Sequence, residues 1–195
     1  MKIQDETFRI LIEQAVDRLA PYFGLTNEEI EEAKKFEIRR ELKGVYKKHS
    51  KRAPAYSYLD NFFFFPKRQY GWADFQIVYP SFNRVDFEKI LGLTKEGVIN
   101  HETGHRLHAL VNPQMKEGFI QFLEIGKRPD FHQDLTEMIA EYGNMITGKR
   151  DYQYGPFRYL HLYNYKNFKK FGPSFLKELA RMPLQEAIDR KLFDN

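Results

Sequence analysis

Thr94-Lys95-Glu96-Gly97-Val98-Ile99-Asn100-His101-Glu102-Thr103-Gly104-His105-Arg106-Leu107-His108-Ala109-Leu110-Val111 is the stretch from which the rest of the chain can be placed. The spacing predicts one helix, closed by Asn112-Pro113 because the residue before a proline avoids helical backbone. On a helical wheel His101, His105 and His108 fall within about 60° of one another, while Ile99, Leu107 and Leu110 lie on the opposite side. A histidine buried for packing would sit among those apolar positions, and these three do not. The expectation is a helix with an apolar back and an open histidine front.

Histidines four residues apart lie ~40° apart around the axis and bring both imidazoles to one point, where zinc at ~2.0–2.1 Å from each nitrogen fits. Glu102 is turned ~100° from His101, near that point without being aimed at it, which suits a base acting on a water. His-Glu-x-x-His is the arrangement of zinc-dependent peptidases, and the expected cofactor is one Zn2+ per chain. Zinc catalysis needs a third protein ligand and an open fourth position for water. Three candidates compete for the third place: His108, a histidine at position 111, and a carboxylate on the Asp130–Gly148 helix, where Glu137 and Glu141 lie one turn apart on a shared face. His108 follows His105 by only three residues and would crowd three imidazoles along one helix, so a place beside the metal, toward substrate or at the surface is expected for it. Position 111 is Val111, which excludes the long metzincin pattern.

Composition narrows the chemistry further. The 195 residues contain no cysteine, which rules out disulfides, thiolate-held metals and thiol catalysis, so a metal must be held by His, Asp or Glu. A net charge of +4 is too small by itself to imply nucleic acid. No run approaches the ~18 apolar residues of a membrane helix, and Met1 to Glu6 lack the pattern of a signal peptide, so a cytoplasmic protein without membrane contact is expected.

Upstream, Phe8, Leu11, Ile12, Ala15, Val16 and Leu19 form one apolar stripe of a helix punctuated by Pro21 and Gly24. Thr26 and Glu29 fit a capping box that opens a second helix, expected to run to about Lys48 with Ile38, Leu42, Val45 and Tyr46 inward. Phe75 to Tyr79 reads as a short strand, and Phe62 to Phe65 as a second buried strand or an aromatic wedge. Downstream, helices are expected over Glu117 to Ile125, over Asp130 to Gly148, and from Phe157 to Phe193 with breaks at Gly172-Pro173 and Pro183. On the Asp130–Gly148 helix the core face is Leu135, Met138, Ile139, Tyr142, Met145 and Ile146. Glu137 points more than a right angle away from it, as a solvent-facing acid or a residue lining a cleft would.

Glu137-Met138-Ile139-Ala140-Glu141-Tyr142 resembles the second motif of the gluzincins, zinc peptidases whose third ligand is a glutamate on a later helix. One branch, aminopeptidase-like and including the minigluzincins, has Gly-x-Ala-x-Tyr after that glutamate; another has Glu-x-x-x-Asp. The chain matches the glutamate, the alanine and the tyrosine, with Met138 in place of glycine and Glu141 in place of aspartate. The resemblance implies that Glu137 is the third ligand, that Glu141 orients a zinc-bound histidine, and that Phe75–Tyr79 is an edge strand pairing with extended substrate.

The implied fold class is α+β: a mostly helical zincin-like domain over residues 53–195, with a small sheet whose edge strand lies over the zinc-binding helix, plus an N-terminal helical pair in 1–52. The implied activity is peptide-bond hydrolysis by a metal-activated water with Glu102 as general base, and the partner is a peptide or protein substrate. Tyr154, Tyr159, Tyr163, His132 and His161 are candidates for holding the developing oxyanion. One alternative keeps the zinc in a latent or single-partner regulatory protein, with residues 173–195 as a plug. The other is a nucleic-acid-binding module using Lys166, Phe168, Lys169, Lys170 and Phe171, or Lys67, Arg68 and Tyr70. Such mixtures usually belong to amphipathic helices, so nucleic acid is not the expected partner. Nothing in the sequence signals an oligomeric state.

Overall fold

The computed structural model of the chain describes residues 2–39, 56–58, 62–64, 95–112, 114, 132–148 and 158–192. Helix α1 spans Lys2–Phe23 and buries Phe8, Ile12, Ala15, Val16 and Leu19 of the stripe read from the sequence, while Leu11 is half-buried. It runs through Pro21 and stops at Gly24, whose φ of 63° suits a residue without Cβ. There the Leu25 N–H reaches the Ala20 carbonyl at 3.1 Å and the Gly24 N–H reaches Pro21 at 3.2 Å, which closes the last turn. Helix α2, Asn27–Ala33, opens on the expected capping box: the Glu29 N–H donates to Thr26 Oγ1 at 3.2 Å, and the Thr26 N–H to Glu29 Oε2 at 2.7 Å.

That second helix ends at Ala33 and does not run on towards Lys48; strand β1, Glu37–Arg39, follows and takes up Ile38. The reason lies far along the chain. Arg106 donates from Nε to the Ala33 carbonyl at 2.6 Å and from Nη2 to the carbonyls of Glu32 and Lys35 at 2.9 and 2.7 Å. These carbonyls lie at the end of α2 and just beyond it, and a buried guanidinium with donors in a fixed fork binds several at once. Burial pulls the Arg106 pKa down to about 10, with Glu32 acting the other way, so the cap stays charged at neutral pH.

Strand β1 pairs in parallel with β3, Phe62–Phe64, and β3 pairs antiparallel with β2, Tyr56–Tyr58, giving the order β1-β3-β2. Phe62–Phe64 is thus a strand; Phe75–Tyr79 and Glu117–Ile125 lie outside the described residues. The described residues are mostly helical. Helices α3, Lys95–Val111, and α4, His132–Thr147, make the most extensive contact between elements. Helices α5, Arg158–Phe171, α6, Phe175–Arg181, and α7, Leu184–Asp189, follow, with the breaks at Gly172-Pro173 and Pro183 as expected. Val16 and Phe23 of α1, Leu107 of α3, Met138 and Tyr142 of α4 and Leu176 of α6 share one hydrophobic core. The 173–195 segment contributes Phe175, Leu176, Leu179, Ala180 and Ala187 to it, which is a packing role. Among the described residues, no helix is long and apolar enough to cross a membrane.

Helix α3 corrects the picture of an apolar back and an open front. It contacts α1, α2, α4, α6 and β2, and Ile99 to Gly104 and Arg106 to His108 are all buried. Other elements supply partners to several of its buried polar groups. Arg18 of α1 donates to Asn100 Oδ1 at 3.0 Å, Asn100 Nδ2 donates to Thr147 Oγ1 at 3.2 Å, and Asn144 Nδ2 donates to the Gly97 carbonyl at 2.9 Å.

Candidate metal centre

As α3 runs from Gly97 to His108, its partners on α4 run back from Thr147 to Thr136, so the two helices are antiparallel. Midway, a Cβ built on Gly104 would lie 2.9 Å from the Ala140 Cα, closer than any side chain permits. Glycine in a helix interior costs ~1 kcal/mol relative to alanine, and here it lets two backbones approach. That approach carries α4 close enough for a short acidic side chain to reach the histidines.

The structure brings together His101, His105 and Glu137. His101 Nε2 and His105 Nε2 are 2.9 Å apart, and Glu137 Oε2 lies 3.1 Å from the first and 3.6 Å from the second. The two rings stand edge to face at 86°, so their Nε2 atoms converge. Three ligands held at ~2.0–2.1 Å in a tetrahedral arrangement are separated by about 3.3 Å, so this triangle has the size of one face of a zinc coordination tetrahedron. Among the described residues it is the one group of His and acidic side chains with that spacing. Burial pushes the Glu137 carboxyl up, but the charge of His105, hydrogen bonds from His101 and His105, and the charge of His101 outweigh it. The net effect holds Glu137 well below the usual carboxylate range, which is the state a ligand needs.

Glu102 is buried on α3 directly after His101, with 6 % of its surface exposed. Glu141 is buried one turn beyond Glu137, where Asn164 Nδ2 of α5 donates to its Oε2 at 3.4 Å and to the Met138 carbonyl at 3.0 Å. Tyr142, the tyrosine of the matched motif, is turned into the core. It packs on Phe168 and Phe175, its hydroxyl donates to the Gly172 carbonyl at 2.6 Å, and burial pushes that hydroxyl up to about 12. It therefore closes the end of α5. Tyr154 lies outside the described residues, as do the side chains of His132, Tyr159, His161 and Tyr163. On α5, Phe168 and Phe171 pack against the core, so they are not free to stack on bases; Lys166, Lys169 and Lys170 are exposed. Lys67, Arg68 and Tyr70 lie outside the described residues.

His108 is neither at the surface nor with the ligands. It is fully buried, with Nδ1 hydrogen-bonded to Thr136 Oγ1 at 3.2 Å. Burial, reinforced by the charge of His105, pushes its pKa down to about 3, so the ring is neutral. The unfolded chain would protonate it near the ordinary 6.5. Metal-free protein should therefore lose stability as pH falls through the window from about 6.5 to about 3, by at most ~1.4 kcal/mol per pH unit from this group. Urea midpoints between pH 7 and pH 4 should fall faster for the wild type than for His108→Leu, and parallel curves would refute the assignment.

Sequence reasoning missed Gly104, Arg106 and Asn100 as structural pivots. Only Gly104 carried a signal, since a glycine inside a strong helix pattern calls for a packing reason. No family model matches the chain, and neither a curated protein nor a solved structure does.

Proposed function

We propose that the chain is a zinc-dependent peptidase of the gluzincin type. The observation that carries this reading is the triangle of His101 Nε2, His105 Nε2 and Glu137 Oε2, with edges of 2.9, 3.1 and 3.6 Å. Two imidazoles, which bind metal in their unprotonated form, and one carboxylate make a donor set that suits zinc and leaves room for a fourth ligand. When bound, zinc supplies Lewis acidity, which lowers the pKa of a water towards ~7 and polarises a carbonyl.

The chain's own residues do the rest. His101 and His105 on one rigid helix and Glu137 on its antiparallel neighbour fix the site from two directions. Glu102 takes the proton from the water that attacks the peptide carbonyl, then gives it to the amine nitrogen as the C–N bond breaks. Burial of Glu102 and His101 sets this transfer in a low-dielectric surrounding, where an oriented charge acts strongly. Glu141 orients a zinc-bound histidine in the same reading, itself held by Asn164. A zincin-like layout belongs to this reading too, with Phe75–Tyr79, which lies outside the described residues, as its edge strand; among the described residues β2 packs against α3.

Elemental analysis of tag-free protein tests the proposal. About one zinc per chain is expected, falling to near zero in His105→Ala and in Glu137→Ala. No metal in the wild type after zinc is added would overturn it.

A further inference from the structure

Besides the apolar residues they give to the core, α3 and α4 meet through small and hydrogen-bonding residues. The Gly104–Ala140 approach sets how close the helices come, but a smooth contact of this kind does little to stop one helix from turning or sliding on the other. Directional contacts do that. Away from the metal ligand on α4 they are the bonds of Asn144 to Gly97 and of Asn100 to Thr147. Towards Glu137 one such contact is the bond between His108 Nδ1 and Thr136 Oγ1, and Thr136 immediately precedes Glu137.

Histidine is a costly residue for this place. Its ring is wholly buried, and its Nε2 has no hydrogen-bond partner among the described residues, so an apolar side chain of similar size would be the more stabilising choice. What histidine adds, and leucine cannot, is the bond from Nδ1 to Thr136.

We infer that His108 is a positioning residue for the metal centre: through Thr136 it locks the rotation and register of α4 that deliver Glu137 to His101 and His105. This rests on the zinc reading above. It assigns the third histidine of α3 a task that neither a ligand nor a filler performs, and it predicts that stability and metal affinity part company at this residue.

The test is zinc affinity by competition with a chromogenic chelator, alongside thermal unfolding of the metal-free proteins. His108→Leu is expected to leave the metal-free fold as stable as the wild type, or more so, while zinc affinity falls about 10- to 100-fold. His108→Asn, whose amide reaches the place of Nδ1, is expected to stay within about threefold of the wild type. Unchanged affinity in His108→Leu would overturn the inference, as would equal losses in the Leu and Asn variants. If His108→Leu does not fold, Thr136→Val and Thr136→Ser decide instead: loss in the first with retention in the second supports the inference, and equal affinities overturn it. A wild type that binds no zinc would instead remove the metal centre itself.

Discussion

Glu102→Gln is expected to slow peptide hydrolysis by orders of magnitude while one zinc per chain remains bound. Glutamine has the shape of glutamate and keeps a polar group in the same buried position, but it cannot accept a proton from water at neutral pH. Glu102 is not a corner of the donor triangle, so its amide leaves the three ligand atoms in place. General base catalysis contributes typically 10²–10⁴-fold, and a loss of about that size in kcat is expected with little change in KM. An unfolded protein such as casein, with zinc content measured on the same sample, gives both readouts. Full activity in this variant would remove Glu102 from the mechanism, and loss of the zinc would make it a ligand.

Gly104→Val is expected to take the metal site apart without touching a ligand. The first added carbon already falls 2.9 Å from the Ala140 Cα, and that atom belongs to backbone in the middle of α4. No rotamer relieves such an overlap, so the two helices must separate. A separation of even about 1 Å is large against a bond of ~2.0–2.2 Å from Glu137 to the metal. Overpacking costs typically 1–3 kcal/mol. Valine recovers little of the ~1 kcal/mol that alanine gains over glycine in a helix. A destabilisation of about 3 kcal/mol and a loss of zinc affinity of at least about 100-fold are expected. Ala140→Gly should not restore the site, because the nearest atom is the Cα and not the methyl. Urea unfolding and chelator competition measure the two effects, and wild-type zinc affinity in Gly104→Val would show that the helix approach does not govern the site.

Both results depend on a division already visible in how the chain is written. The i, i+4 spacing of His101 and His105 fixes their common face through helix geometry alone, and the structure has their Nε2 atoms 2.9 Å apart. The Thr26–Glu29 box and the glycines at 24, 148 and 172 likewise act within a few residues, and each marks an element end where it was expected. Glu137 was reached by resemblance to a motif. Its own periodicity, facing away from the α4 core side, left both a solvent-facing acid and a cleft-lining ligand open.

The tertiary structure places Glu137 beside His101 and His105, which belong to another helix. It also decided where α2 stops, since the guanidinium that takes its carbonyls comes from Arg106, more than 70 residues along the chain. It turned Tyr142 away from the site to close α5, and it buried the histidine face of α3 that a helical wheel leaves open. A wheel reports which residues of one element share a side. Which neighbour covers that side, and how near a backbone can come at Gly104, depends on contacts that form only once distant segments have packed together.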